Sequence, residues 1–243
     1  MLLDSLVLSP LQRSWLQEIH IAPPFIPPEE KRAVVSMPAS TPTVAPPIAP
    51  PVVDLASMSL LQLQAHVEQC QSCDLHEQRM QTVWGAGQTQ QPEWFVISTA
   101  PSSHEELAGL PMQAKSGELF AAQMQSIGLD LAQQLFLTQL LKCHTTSKTF
   151  SAEYLQACKG VLFKQIALIQ PKRLLLLGSK AAAMFLGEAH SFEALRGQLQ
   201  RWQSPAGREL PVVVSYHPSS LLLRPQLKGQ AWQDLLLMQH AMQ

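Results

Sequence analysis

The sequence is poor in charged residues, in aromatic residues and in cysteine. Charged residues make up 14 % of the 243 residues, against about 25 % in an average soluble protein, while the hydrophobic content of 46 % is enough for a folded core. No apolar run approaches the roughly 18 residues of a membrane span. The first ten residues carry Asp4 and no basic residue, so we expect no signal peptide. These absences predict a cytosolic protein whose thiols stay reduced.

Only four cysteines are present, and their spacing indicates a metal site. Cys70 and Cys73 form a C-x2-C pair, and Cys143 and Cys158 follow after a gap of 69 residues. Four thiolates complete one tetrahedral ligand set, and a local zinc loop would keep its ligands closer together in sequence. The spacing therefore predicts a centre that joins distant segments. Four thiolates can hold either zinc or an iron–sulfur cluster. The alternative to a metal site is that the four cysteines are unrelated to one another.

The chain divides into a head, a linker and a domain. Residues 1–34 contain a short amphipathic helix that begins at Ser9 with Pro10 in its first turn, followed by the apolar segment IAPPFIPP. Residues 35–55 are rich in Pro, Ala and Thr and predict a flexible, extended linker. Residues 56–243 alternate helical patterns with apolar runs and predict one globular domain.

The pattern of residues 56–243 predicts an α/β fold with a mainly parallel central sheet. Four nearly continuous apolar runs have strand length, at 94–99, 135–141, 173–178 and 211–216. Helical patterns lie near 57–70, 117–127, 153–168, 179–186 and 229–242. Buried strands alternating with helices are typical of a parallel sheet covered on both faces. Ligands of such sheets bind at the carboxyl ends of the strands. Twelve of the 17 Lys and Arg residues follow residue 138, which is compatible with a nucleic-acid face.

A series of short motifs runs from Cys70 to the C-terminus. Besides the cysteines they are Arg79, Gly85, Ala100-Pro101, Leu110-Pro111, Lys115, Gly117, Thr138, Lys142-Cys143, Leu177-Gly178, Leu195-Arg196-Gly197, Tyr216-His217-Pro218-Ser219, Leu222, Arg224-Pro225 and Trp232. In this order they resemble the family 4 uracil-DNA glycosylases. The resemblance implies a three-layer α/β/α uracil-DNA-glycosylase-like fold. It also implies a [4Fe–4S] cluster on Cys70, Cys73, Cys143 and Cys158, with zinc as the weaker alternative, and a nucleoid-associated protein of the bacterial cytosol.

The resemblance also implies a pocket for a base turned out of DNA, and here the chain departs from the family. Thr99 replaces an acidic residue, Met112 replaces a Phe that stacks on uracil, and Gln139 replaces an Asn that reads the base. His217 is retained and would donate a hydrogen bond to the uracil oxygen; alternatively it shapes a sharp turn. The candidate pocket residues are Thr99, Ala100, Pro101, Met112, Gln139, His217 and Ser219.

Four further positions are implied to contact DNA. Lys142 and His144 stand where the family has Lys-Cys-Arg, and a neutral His144 would weaken a phosphate contact. Leu222 belongs to a leucine wedge, residues 221–223, that would enter the duplex, and Arg224 follows it.

The head has a resemblance of its own. Residues 13–21, together with the apolar PPF that follows, resemble the N-terminal peptide of the psi subunit of the bacterial DNA polymerase III clamp loader. The resemblance implies binding to clamp-loader ATPase subunits, and binding of the chi subunit by the globular domain. The implied contact residues are Leu11, Trp15, Leu16, Ile19, Ile21 and Phe25. A helix that packs on its own domain is the alternative.

These observations lead to three hypotheses. An altered base pocket beside four retained cysteines favours a non-catalytic, psi-like iron–sulfur subunit acting in DNA replication. The first alternative is an active uracil or modified-base DNA glycosylase in base-excision repair. The second is an iron–sulfur protein that binds DNA or a partner outside replication.

Overall fold

The computed structural model describes residues 55–145 and 151–242. These belong to one compact unit of the chain, residues 49–243. The head and all of the linker except Leu55 lie outside the described residues. The partner-binding predictions made there therefore stay predictions; they concern Leu11, Trp15, Leu16, Ile19, Ile21 and Phe25.

The described residues build one six-stranded sheet at the centre of the domain. Its strands are β1 (Ala86–Gly87), β2 (Trp94–Ser98), β3 (Leu135–Gln139), β4 (Arg173–Leu177), β5 (Gln200–Gln203) and β6 (Glu209–Ser215). The spatial order is β1-β3-β2-β4-β6-β5. The central four strands are parallel, and the two edge strands pair antiparallel. The predicted α/β fold with a mainly parallel sheet is confirmed.

The central strands are continuous apolar runs because helices cover both faces of the sheet. Every residue of β2 and β3 is buried. Phe95 and Phe136 point to one face, where their rings stack with centroids 5.3 Å apart. Trp94 and Leu135 point to the other face and join a second core. The alternation of strand side chains thus builds two cores from one sheet.

The helices flank the sheet and fill its connections. In chain order they are α1 (Leu60–Glu68), α2 (Leu75–Gln78), α3 (Ser103–Ala108), α4 (Ala114–Ser126), α5 (Leu131–Gln134), α6 (Ala152–Ile169), α7 (Ser179–Leu186), α8 (Phe192–Leu195), α9 (Pro218–Leu223) and α10 (Lys228–His240). The five predicted helices correspond to α1, α4, α6, α7 and α10. Among the described residues, none of these helices is both long enough and apolar enough to cross a bilayer.

The parallel strands bring four loops to one edge of the sheet. The loops follow β2 at Thr99, β3 at Leu140, β4 at Gly178 and β6 at Tyr216. Because the carboxyl ends of parallel strands share an edge, side chains far apart in sequence meet there. The candidate site is built at this edge.

Candidate functional site

A cavity of about 470 Å³ lies at the carboxyl edge of the sheet. All four strand-end loops contribute to its lining. The lining residues are Thr99, Ala100, Pro101, Ser102, Glu105, Ser116, His144, Thr145, Gly178, Ser179, Lys180, His217, Ser219 and Ser220. Five of the seven predicted pocket residues are therefore brought together, and Met112 and Gln139 are not among the lining residues.

A second hollow of about 460 Å³ lies at the opposite edge of the sheet. It is lined by residues 89–91 and 168–170, which precede β2 and β4. These residues include no carboxylate, imidazole, amine or thiol. The first cavity, with two imidazoles, a carboxylate and an ammonium, is the one equipped for chemistry.

His217 caps α9 and faces the cavity. Its Nδ1 accepts a hydrogen bond from the Ser219 backbone N–H at 3.2 Å and lies 2.7 Å from Ser219 Oγ. Burial lowers the pKa of His217, while the nearby Glu105 carboxylate acts in the opposite direction. The ring is therefore neutral at pH 7, and because Nδ1 accepts, its proton is on Nε2. Nε2–H is a donor available to a bound ligand.

Glu105 is a cavity residue that the sequence analysis missed. It is 5 % exposed and is the one carboxylate among the lining residues. Oε2 accepts from Ser102 N–H at 2.7 Å and from Ser102 Oγ at 2.8 Å, and Oε1 accepts from Met112 N–H at 2.6 Å. A carboxylate offers about four acceptor sites, so Oε1 has room for one more donor. The sequence signal that could have identified Glu105 is the S-x-x-E pattern of a capping box, which runs from Ser102 to Glu105.

Met112 does not present a platform to the cavity. Its side chain is 9 % exposed and packs in the core with Val96, Phe120 and Leu137. Its backbone is left-handed, with φ of 54°, and the Glu105 carboxylate holds its N–H. A Cβ on Gly117 would lie 1.9 Å from the Met112 carbonyl oxygen, so only glycine allows this loop to pack on α4. Met112, the residue that stands where the family has a stacking Phe, therefore packs in the core and is not among the residues that line the cavity.

Gln139 ends β3 with a buried, unsatisfied amide. The residue is 1 % exposed, and among the described residues neither Oε1 nor Nε2 has a hydrogen-bond partner. Ser98, its neighbour across the sheet, is 1 % exposed, and its Oγ is likewise unpaired within the described residues. The next residue after Ser98 is Thr99, which lines the cavity. Ser98 is thus adjacent in sequence to the cavity lining, and Gln139 is its partner on the neighbouring strand.

The predicted DNA contacts fall into two groups. Leu222, Leu223 and Arg224 are exposed at the end of α9, with Leu222 at 42 % and Leu223 at 83 %. His144 lines the cavity and its Nδ1 lies 2.7 Å from the Pro101 carbonyl oxygen, to which it donates. Lys142, in contrast, is 2 % exposed. The prediction that Lys142 contacts DNA is therefore contradicted, because a phosphate cannot reach its ammonium.

A buried ion pair supports the His217 loop from behind. Arg196 Nη2 and Nε lie 2.7 and 3.1 Å from Asp234 Oδ2, which also accepts from Ser215 Oγ at 2.7 Å. The Arg196 guanidinium lies 4.0 Å from the Tyr216 ring centroid. Arg196 and Asp234 side chains are 8 % and 0 % exposed. Ser215 and Tyr216, the two residues that precede His217, are thus held in place by contacts with the protein interior.

The four cysteines converge from three separate parts of the fold. Cys70 and Cys73 lie between α1 and α2, Cys143 follows β3, and Cys158 lies on α6. Cys73, Cys143 and Cys158 pack in one cluster with Leu75 and Leu141. Arg79 Nη1 donates to Cys143 Sγ at 3.3 Å.

The thiols influence each other electrostatically. Burial raises the pKa of Cys73 and Cys143, and that of Cys158 to about 11. The nearby cysteines add to each increase, Cys70 among them for Cys73 and Cys143. Yet no three His, Cys, Asp or Glu side chains of residues 55–145 and 151–242 are grouped closely enough for a single metal ion. Four thiols are a donor set that suits either zinc or an iron–sulfur cluster.

Comparison with known proteins identifies similar chains. The uracil DNA glycosylase superfamily model matches residues 84–236. The type-4 uracil-DNA glycosylase of Pyrobaculum aerophilum is 28 % identical over 185 residues, 74 % of this chain and 93 % of that protein. The enzyme of the same name from Archaeoglobus fulgidus is 28 % identical over 184 residues, 72 % of this chain and 89 % of its own length. That of Sulfurisphaera tokodaii is 30 % identical over 176 residues, covering 70 % and 79 %.

These relatives overturn the first hypothesis on function. The curated proteins that this chain matches over most of its length carry the name of a DNA glycosylase. The prediction of a non-catalytic, psi-like replication subunit is therefore wrong, and its alternative, an active glycosylase, is the better supported.

Proposed function

The chain belongs to the uracil DNA glycosylase superfamily, and on this premise we propose that it hydrolyses the bond between uracil and deoxyribose in DNA. The observation that carries the proposal is the cavity at the carboxyl edge of the sheet, where the His217 imidazole and the Glu105 carboxylate lie among the lining residues. Uracil has two carbonyl oxygens that can accept from the Nε2–H of His217.

The cavity suits a base that has left the DNA stack. Enzymes that act on a base extrude it from the helix into a pocket, and pockets for small ligands start at about 300 Å³. The present cavity, of about 470 Å³, has room for one pyrimidine ring. Leu222 and Leu223, exposed beside it, would fill the space that the base leaves in the duplex.

His217 assists departure of the base. The C1′–N1 bond breaks with its electron pair going to uracil, and the resulting anion carries charge on its carbonyl oxygens. Nε2–H of the neutral His217 ring donates to one of these oxygens. A single donor aimed at developing charge is worth about 10²–10³ in kcat.

Glu105 takes the role that an acidic residue at position 99 would have. Its Oε1 accepts one hydrogen bond from the protein and has room for a water molecule. That water adds its oxygen to the deoxyribose C1′ and gives one proton to the carboxylate, from which the proton passes to the uracil anion. The products are uracil and an abasic deoxyribose. The carboxylate also stabilises the cationic sugar that forms when the base leaves.

We further propose that Cys70, Cys73, Cys143 and Cys158 hold a [4Fe–4S] cluster. When bound, such a cluster supplies a rigid cross-link between segments that are distant in sequence, and metal-binding free energy contributes to folding. The cysteines join the α1–α2 connection, the end of β3 and α6. Since Cys143 precedes His144 of the cavity lining, the cross-link also fixes one cavity wall.

The proposal is tested by incubating the full chain with uracil-containing single- and double-stranded DNA and measuring released uracil. His217→Ala is expected to lower kcat about 10²–10³-fold, and Glu105→Gln about 10²–10⁴-fold. The matched controls are His190→Ala and Glu188→Gln, since both side chains are exposed on the connection between α7 and α8. Release that is equal in His217→Ala and in the parent chain would contradict the assignment of the cavity.

A further inference from the structure

One guanidinium group, that of Arg196, lies behind the loop that carries His217. Its carbon lies 4.0 Å from the centroid of the Tyr216 ring, a distance at which a cation is attracted to the ring face. Its Nη2 and Nε donate to Asp234 Oδ2 at 2.7 and 3.1 Å. The cation therefore joins the residue before His217 to a carboxylate of α10.

The two residues before His217 also contact α10 directly. Ser215 Oγ donates to Asp234 Oδ2 at 2.7 Å. The Tyr216 hydroxyl oxygen lies 2.7 Å from Gln230 Oε1, which also accepts from Arg196 Nη1 at 3.0 Å. Gln230 and Asp234 are four residues apart and so lie on one face of α10. The helix is thus held at two points, one turn apart.

These contacts fix both ends of the segment formed by residues 217–229. The segment begins directly after Tyr216 and ends directly before Gln230, and it carries both His217 and the leucine wedge. The contacts that hold its two ends share one guanidinium. We call the residues that make them the clamp: Arg196, Tyr216, Asp234 and Gln230.

The interior of this segment is packed as well. Leu221 is 0 % exposed and packs in one cluster with Tyr216 and Ala231. The short helix α9 joins His217 to the exposed Leu223 within six residues. A displacement of the exposed leucine is therefore passed on to the imidazole, because little of the backbone between them is free to absorb it.

We propose that Arg196 and Tyr216 are positioning residues, and that the clamp makes His217 and the leucine wedge move into DNA as one unit. The inference rests on the proposed function, because it takes the wedge to enter a duplex and His217 to donate to the base. Neither positioning residue is among those that line the cavity, so both act through His217.

The first test measures single-turnover release of uracil by the iron-loaded full chain with Tyr216→Leu or Tyr216→Phe. Tyr216→Leu removes the ring that faces the guanidinium, and we expect the maximal rate to fall about 10²-fold on single- and double-stranded DNA, because a shift of about 1 Å at a reacting centre has that effect. The affinity for DNA should stay unchanged. Tyr216→Phe keeps the ring and its packing and loses one hydrogen bond, so we expect a fall of about 2–10-fold.

Phe185→Leu is the matched control for loss of stability. Phe185 is 7 % exposed and Tyr216 is 9 % exposed. Each ring packs edge-on against another, Phe185 against Phe163 and Tyr216 against Phe192, with centroids 5.7 and 5.3 Å apart. We expect Phe185→Leu to lower the melting temperature as Tyr216→Leu does, but to leave the rate of release unchanged.

The second test asks whether the wedge and His217 act together. Leu223→Ala alone should slow release from double-stranded DNA only, because a base in a single strand is easier to extrude. In the double variant with Tyr216→Leu, we expect release from the duplex to be slowed at least about fivefold less than the product of the two single effects, since coupled residues are not additive. On single-stranded DNA the double variant should match Tyr216→Leu.

The outcomes separate the clamp from the proposed function. A folded, iron-loaded parent chain that releases no uracil would contradict the proposed function itself. An active parent chain whose Tyr216 variants are slowed no more than Phe185→Leu would overturn the clamp and leave the function standing. Effects of Tyr216→Leu and Leu223→Ala that simply multiply on duplex DNA would also overturn it, because the two groups would then act independently. If Tyr216→Leu fails to fold, Tyr216→Phe serves in its place in both tests.

Discussion

The cavity and the sulfur site meet at one segment, Lys142-Cys143-His144, yet they depend on sequence in different ways. The sulfur site uses four residues of a single type, and each must be present. The cavity combines mixed polar residues from four loops. One of them can replace another, and we propose that Glu105 does so for the acidic residue that is absent at Thr99. A set of metal ligands can therefore be predicted from the sequence. A changed residue in a pocket motif, in contrast, does not by itself indicate that activity is lost.

The largest expected effect separates the two regions directly. Cys143→Ser should prevent iron binding and destabilise the domain by several kcal/mol, because the cross-link between β3, α6 and the α1–α2 connection is lost. His217→Ala removes only the cap of a short helix, about 1 kcal/mol. Iron content and thermal melting of the two variants check this. Equal melting temperatures for Cys143→Ser and the parent chain would contradict the structural role of the sulfur site.

The next effect concerns the support of the cavity wall. Arg196→Met leaves the Asp234 carboxylate, whose side chain is 0 % exposed, without its cation. Breaking a buried pair in this way costs about 3–5 kcal/mol, measured by urea unfolding. Arg201→Met is the control, because its pair with Glu209 is exposed, and loss of such a pair costs about 1 kcal/mol at most. Similar losses in the two variants would mean that the Arg196–Asp234 pair does not fix the His217 loop.

A smaller effect tests where Met112 points. Met112→Phe restores the aromatic residue of the family, but the structure packs this side chain in the core. We expect overpacking to cost about 1–3 kcal/mol with no gain in uracil excision. Met112→Leu, close in volume, should cost less than about 1.5 kcal/mol. An increase in kcat/KM for Met112→Phe would place the side chain against the base instead.

The smallest effect is a pH dependence set by His217. Burial lowers its pKa, so the unfolded chain, with a pKa of about 6.5, takes up protons first as pH falls. The stability contribution of the neutral ring is complete above pH 6.5 and declines below it. Melting temperatures measured as a function of pH should fall below pH 6.5, and less steeply in His217→Gln than in the parent chain. An equal fall in the two chains would assign the titration to another group.

The fold was largely predictable because its signals are local and strong. The apolar runs of β2, β3, β4 and β6 and the helical patterns around them were identified within a few residues. β5 was missed because only Trp202 of its four residues is buried, so this edge strand has no apolar run. β1 has two residues, too few for any pattern.

The site was predictable only in part, for a physical reason. Thr99 and His217 could be found because the family resemblance places both in motifs that follow strands, and the carboxyl ends of parallel strands lie at one edge of the sheet. The direction of a side chain, in contrast, depends on the backbone and on neighbours distant in sequence. Met112 turns inward with a left-handed backbone held by Glu105, and Lys142 turns inward toward Thr138. Neither contact can be predicted from the residues that are adjacent in the sequence.

The proposed activity is tested most directly by single-turnover release of uracil from single-stranded DNA, with the iron-loaded full chain in excess over substrate. We expect free uracil and an abasic strand to appear in equal amounts, His217→Ala to slow the release about 10²–10³-fold, and His190→Ala to leave it unchanged. A chain that carries iron, melts as a folded protein and releases no uracil would show that the cavity does not act as a glycosylase site.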